Sequence, residues 1–596
     1  MVDELSLLGL PGEVRAKIYH YYFQVDGGYA YDAECDKLQT VDNRPIELSL
    51  LYTCRTIARE ARHLPFSLNA IEFRTLYRPE LNNLAGCFNL VATTYQTLES
   101  ELVLLLASAG ALTPEMRDQL AMQFPDFGSQ LARSLPIYEH KHEYYTQNPT
   151  YYGDRIRDRY TSRLPDPDPS VSSLQQLRST LCHQTQDALA ESASVLYLSS
   201  GFYRGFSRIK RPYSGDYPSW SHSFWKAEKT LSSALQLLAT QKPADFERQI
   251  GKNFPQWDGS YRPDEFLNLR FDHWAIPSPS KVKHAMDLLA IGDVWHLPGM
   301  WYDARSCCAG DDRYEMCPII QPHPHHPVAS GVQCREKIRF SAVANAIRFL
   351  ETRLSSEQRR DIRSLVLIED FPSVNSPSAH AQGLATFYRE NPHLRVERRV
   401  DLMGCMFPAV ASPTYVANYL RNPDTYPGGS ETYDRGIRSR ITQWLLDALA
   451  VTDVGIPAEA FTLVLQAGCY KDLFTDLFQQ HIHNEIAWHR AFKALHPHIN
   501  IDGPVNWRYL IIQDVLMDTQ EASALETLAN GTSPILRSDF NSGVAHEIDT
   551  IINDTSHFEP HEWIHAWNSA KGNLEQAIHR VDYNTRLSDN FEIRIT

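Results

Sequence analysis

Nowhere in the 596 residues does an unbroken apolar run approach the roughly 18 residues that a membrane helix needs. The longest candidate, 102–111, is too short and reads as a core helix. A basic excess is also missing. Lys and Arg number 57 against 72 Asp and Glu, giving a formal charge of −15. A polyanion-binding chain presents a basic face, so a nucleic-acid partner is not expected. The short basic runs around Arg208, Arg359 and Arg395 mostly have acids nearby and read as solvated faces. No C-x-x-C occurs among the ten scattered cysteines, so reduced thiols are expected rather than a disulfide framework. The opening Met1-Val2-Asp3-Glu4 carries acid where a secretory leader carries base, which points to cytosol or nucleus. There is no G-x-G-x-x-G, no Walker loop and no G-x-S-x-G elbow, and no cofactor is expected.

What the chain does have is an organised N-terminal stretch, 7–73. Pro11 suits the first turn of a helix, because its ring fixes φ and its missing N–H is not needed there. Glu13 complements the positive helix end. Val14, Ile18 and Tyr21 or Tyr22 recur at helical spacing and make one face apolar. A second helix is expected over 48–62, ended by Pro65, and a strand over 69–76 with Ile71 and Phe73 on one side.

Leu10, Pro11, Glu13, Val14 and Ile18, followed by Leu51, Cys54 and Arg55, resemble an F-box in the diverged form found in uncharacterised fungal proteins. The resemblance spans about the first 75 residues, with 24–47 intervening before the second helix. It implies a helical module that docks on the Skp1 adaptor of a cullin ubiquitin ligase. Leu10, Pro11, Val14 and Ile18 would make the contact. A weaker resemblance to the same group lies around His380-Ala381-Gln382-Gly383-Leu384 and Glu397-Arg398-Arg399-Val400, with no chemistry attached.

The chain is long enough for three or four domains. The pattern divides it into an F-box-like module (1–76), a helical extension (77–160), a linker (161–173), a Trp-rich helical region ending in a Cys/His loop (174–335), a small α/β unit (336–408) and a C-terminal helical region (430–596). The linker is expected from Pro165-Asp166-Pro167-Asp168-Pro169, which cannot hold a helix. Thr113-Pro114-Glu115 is a helix start with cap, proline and acid in order. Helix–strand patterns over 338–368 and 380–402 give the α/β unit, and two such units are too few for a solenoid. The remainder, including 457–465, reads as helix. The fold class expected is therefore mainly α and multidomain.

Two metal-type patterns stand apart. His561-Glu562-Trp563-Ile564-His565 matches H-E-x-x-H, which on a helix sets two histidines on one face to hold zinc, with Glu562 as general base. Pro560 and Glu559 precede it where such helices are apolar, and the alternative is a helix opened by Pro560, packed by Trp563, Ile564 and Trp567, with both histidines partly exposed. Cys307, Cys308, Cys317, His323, His325, His326 and Cys334 are zinc-ligand types at irregular spacing, equally readable as a proline-rich loop. The leading expectation is a protein-interaction chain: a Skp1-like adaptor on the N-terminal module and a protein client on the body. The alternatives are a non-enzymatic structural or regulatory protein whose F-box-like face is buried internally, and a zinc hydrolase using His561, Glu562 and His565.

Overall fold

The computed structural model describes residues 7–147, 223–253, 264–289, 295–299, 301–303, 332–406, 434–500, 519–570 and 588–595, together with Arg262 and Met517. The linker expected at 161–173 and Cys307, Cys308, Cys317, His323, His325 and His326 lie outside these residues. The fold is helix-rich and carries a seven-stranded mixed sheet.

The N-terminal stretch begins with α1 (Gly12–Phe23), entered through exposed Pro11. The single helix expected over 48–62 is instead a turn of 3-10 helix, Ser49–Tyr52, followed by α2 (Arg55–Ala61). Cys54 causes the break: it is extended (φ −159°, ψ 161°), and the Thr53 hydroxyl closes the first turn on Leu50 O at 2.8 Å. Pro65 does not end a helix but opens one, α3 (Leu64–Leu68), in the first-turn position it tolerates. Between α1 and the 3-10 turn runs a hairpin of β1 (Tyr29–Asp32) and β2 (Lys37–Thr40), and after α3 comes β3 (Ile71–Arg74).

Buried Asn69 binds these pieces together. Its Nδ2 donates to Phe23 O (2.7 Å) and Pro65 O (2.8 Å), and its Oδ1 accepts from Val25 N (2.8 Å). Gly28 is required where β1 meets β3: its φ is +76°, and a Cβ there would lie 2.4 Å from Ala70 O.

β3 does not stay within the module. It pairs in parallel with β6 (Ser364–Glu369), which pairs with β7 (Arg395–Asp401), then β8 (Phe461–Gln466), then β9 (Leu536–Ser538). The sheet order is β2-β1-β3-β6-β7-β8-β9, so the N-terminal module, the α/β unit and the C-terminal region share one sheet. The six parallel strands succeed one another in chain order. Right-handed crossovers that always step the same way keep their helices on one face of a sheet. Burial follows that rule. Leu365, Leu367, Val396, Val400, Phe461, Leu463 and Leu465 point into a core, while Val366, Glu397, Arg399, Thr462 and Val464 on the other face stay partly exposed.

Into the covered face pack α10 (Ala342–Arg353), α12 (Ala385–Glu390), α13 (Asp434–Leu449) and α16 (Thr519–Ala529). The α/β unit expected over 336–408 is thus the middle of a larger sheet. The helix expected over 457–465 is strand β8: Phe461, Leu463 and Leu465 alternate with Thr462, Val464 and Gln466, a period of two. Only Ala458–Ala460 makes a helical turn there.

A second core lies beyond the carboxyl ends of β3 and β6, joined to the first through Leu76, Phe340 and Val374. It is built on α4 (Asn82–Ser108), α5 (Pro114–Gln123), α6 (Phe127–Gln147), α7 (Phe224–Gln241), α8 (Pro243–Asn253) and α9 (Pro279–Leu289). α5 starts as its sequence predicts, with Thr113 Oγ1 accepting from Met116 N. β5 (Val332–Glu336), between β4 (Tyr302–Asp303) and β10 (Phe591–Ile595), forms a small antiparallel sheet that brings the last described strand back beside Arg335 and Tyr77. Among the described residues no helix is long and apolar enough to cross a membrane.

Candidate functional site

Two places concentrate chemistry. The first is the outer face of α1. Arg15, Tyr19 and Phe23, four residues apart, face inward; Tyr19 and Phe23 pack with Ile57 and Ala61. Glu60 of α2 fixes that orientation. It accepts from Arg15 Nη2 (2.7 Å), Arg15 Nε (3.0 Å) and Tyr19 Oη (3.1 Å). The Arg15 hydrogen bonds hold the Glu60 carboxyl below its ordinary range. Arg15 Nη1 also donates to Leu10 O (2.6 Å), tying the turn before α1 to the same carboxylate.

With that side turned in, Val14, Ile18 and Tyr21 turn out, at 42 %, 38 % and 79 % exposure. Tyr22 is beside them, and its hydroxyl meets Ser49 Oγ at 3.1 Å. Of the four residues that the resemblance assigns to partner contact, Pro11, Val14 and Ile18 are exposed and Leu10 is half-buried. Among the described residues, seven of the eleven exposed large apolar side chains fall between Leu8 and Tyr52.

The second place is buried, where the two cores meet. Glu369 and Arg398, each 1 % exposed, form an ion pair under the Trp444 ring. Arg398 Nε and Nη2 both donate to Glu369 Oε1 (3.0 and 2.6 Å), and the rest of the guanidinium donates to Ser378 O (3.1 Å) and Pro377 O (2.6 Å). Glu369 Oε2 accepts from Ala342 N at the start of α10 (3.0 Å). Asp447 of α13 accepts from Ser223 Oγ (2.7 Å), Ser378 Oγ (2.6 Å) and Trp225 N (3.2 Å). Burial pushes its pKa up to about 6 against these donors.

His380 sits between Ser341 Oγ (2.7 Å from Nδ1) and Asn375 O (2.9 Å from Nε2), and burial, with Arg398 nearby, holds it neutral. On the α4 side, Glu99 and Glu228 share Arg270, and Glu228 meets His273 at 2.8 Å. Burial raises Glu99 to about 7, opposed by Arg270. The segment 370–384, a loop that ends in the 3-10 helix Pro377–Leu384, threads through all of this. The sequence marks this segment only through the helix expected from 380 and the weak resemblance at 380–384. Single buried charges in otherwise ordinary strands, such as Arg398 between Val396 and Val400, carry no local signal.

The metal-type patterns are placed as follows. α17 (Asp549–Thr555) is followed by α18 (Pro560–Ala570), whose Trp563 and Trp567 are buried in a third core with Trp488 and Phe492. His561, Glu562 and His565 are exposed on the other side, and Glu562 Oε2 accepts from Glu559 N (2.9 Å) as a helix-start cap. Cys334 is buried in β5. Among the described residues no group of three His, Cys, Asp or Glu side chains is placed to hold a metal ion.

Compared with models of protein families, with curated proteins and with solved structures, the chain matches none.

Proposed function

We propose that this chain is a protein-interaction component whose N-terminal module docks, through the outer face of α1, on a Skp1-like adaptor of a cullin ubiquitin ligase. The single observation that carries the reading is the outward apolar face of Val14, Ile18 and Tyr21, held outward by the Arg15–Glu60–Tyr19 cluster. Contiguous apolar surface on a folded protein marks interaction sites, and a helix presenting apolar residues at i, i+4 and i+7 is one recurring form of it. The resemblance of Leu10-Pro11-x-Glu13-Val14 supplies the partner's identity.

The test is co-purification of the full chain with the Skp1-like adaptor, wild type against Val14→Asp/Ile18→Asp. Both positions are exposed, so the variant is expected to keep the wild-type circular dichroism and melting temperature. Desolvating two apolar side chains at an interface contributes about 1–2 kcal/mol each, so affinity is expected to fall at least about tenfold. Undiminished binding by the folded variant, or no binding by folded wild type, overturns the reading.

A further inference from the structure

Four ionisable side chains meet where the segment 264–276 lies against α4 and α7. Glu99 of α4 pairs through Oε1 with Arg270 Nη2. Glu228 of α7 places Oε1 3.4 Å from Arg270 Nε and Oε2 2.8 Å from His273 Nε2. Glu99, Glu228 and His273 are buried, and Phe224 packs edge-on against the His273 ring. Glu99 Oε2 is buried with no hydrogen-bond partner.

These charges balance only with one added proton. Two carboxylates oppose one guanidinium, so the set is neutral when His273 or a carboxyl is protonated. Without that proton a buried negative charge is left unmatched, which is strongly destabilising. Burial raises the Glu99 carboxyl to about 7, opposed by Arg270. A carboxyl raised on folding stabilises the folded state fully below its ordinary range and loses that contribution as pH rises through 7. A proton held on His273 instead gives the same direction, because the groups titrate as one set. The other ionisable neighbours do not supply the missing charge. Tyr95 of α4, raised by burial, stays neutral; Lys229 of α7 is exposed; His380 is held neutral.

The segment is the part that can yield. α4 has 27 residues and α7 has 18, whereas the segment has one four-residue helix, Glu265–Asn268, and no strand. Beyond that helix its backbone is closed by single turns, such as Ala275 N to Asp272 O (2.9 Å). Yet it joins the two cores. Phe266 and Leu269 belong to the helical one, and Trp274 packs on the sheet core. Gly383 makes room for that indole, since a Cβ there would lie 2.5 Å from the Trp274 ring.

We propose that the segment 264–276 is a pH-operated clasp between the two cores. It is closed while the Glu99–Glu228–Arg270–His273 set holds its one proton, and it opens locally when rising pH removes that proton. Opening lifts Trp274 from Gly383 and lets water reach both carboxylates. The clasp is separate from the α1 face and stands whether or not an adaptor binds there.

Hydrogen exchange of the full chain, read by mass spectrometry and corrected for the intrinsic effect of pH, tests it. Protection of 264–276 in wild type is expected to fall at least about tenfold between pH 6 and pH 8.5, while α4 keeps its protection. Glu99→Gln balances the set without a proton, so its protection there is expected to be the same at both pH values. Glu228→Gln removes the other carboxylate and is expected to behave alike, which keeps the test open where one variant does not fold. Equal protection of wild type at the two pH values overturns the proposal. So does an equal loss in α4, which would be global unfolding, or a fall in a folded glutamine variant as large as in wild type.

Discussion

Arg398→Met is expected to remove about 3–5 kcal/mol of folding stability at neutral pH, the usual cost of leaving one member of a buried ion pair alone. Methionine keeps the aliphatic stem beneath Trp444, so the loss is electrostatic rather than a cavity. Three things go wrong together. Glu369 keeps only the Ala342 N–H as a close partner. The carbonyls of Pro377 and Ser378 lose their donor at the point where the loop turns toward α13. The contact between guanidinium and indole at 4.5 Å disappears. Marginal stability of about 5–15 kcal/mol makes a loss of this size a large fraction of the whole.

Urea unfolding followed by far-ultraviolet circular dichroism measures it. A second variant separates the causes: Glu369→Leu/Arg398→Met removes both charges, and replacing a buried pair by apolar groups is often neutral. The double variant is therefore expected to recover most of what the single one loses. A loss below about 1 kcal/mol in Arg398→Met would mean that the pair does not anchor the junction of the two cores.

The same junction shows what could be read from the sequence and what could not. Local chemistry was legible wherever a residue's own backbone preference decided the outcome. Pro11 begins α1, Thr113-Pro114-Glu115 begins α5, and the strands expected to close the patterns over 338–368 and 380–402 appear as β6 and β7. The apolar stripe of Val14, Ile18 and Tyr21 was visible as periodicity. Its outward direction was not, because that depends on Arg15 and Tyr19 finding Glu60 forty-odd positions away. The sheet was only half legible. β8 is preceded by Pro457-Ala458-Glu459-Ala460, a helix-like opening, and β9 has just three residues. Neither is stable alone; each exists because a neighbouring strand supplies its hydrogen bonds. The buried hub was least legible of all, since its members come from 89–99, 223–228, 270–273, 341–398 and 447, and only the fold assembles them.

Asp447→Asn gives the second large effect, and its sign depends on pH. Asp447 is fully buried and burial lifts its folded pKa to about 6, against an ordinary value of 3.8. A carboxyl whose pKa is raised on folding favours the folded state most in its neutral form. Its contribution is fully present below pH 4 and is lost as pH rises through 6. At pH 8 the folded chain bears the whole cost of a buried carboxylate, on the order of 3 kcal/mol for a shift of about two units. Asparagine has nearly the same shape. Its Oδ1 can keep the Ser223 hydroxyl and Trp225 N–H, and its Nδ2 can donate to Ser378 once that hydroxyl rotates.

The stability of Asp447→Asn relative to wild type is therefore expected to improve by about 2–3 kcal/mol between pH 4 and pH 8, with most of the change between pH 4 and 6, the interval between the unfolded and folded pKa values. Taking the difference between the two proteins removes the opposing contribution of His380, whose folded pKa is depressed and whose stabilisation is lost as pH falls through the ordinary histidine range. Urea midpoints for both proteins across that range check it. A difference that does not change with pH would show that folding does not raise the Asp447 pKa, the two serine hydroxyls and Arg398 offsetting burial.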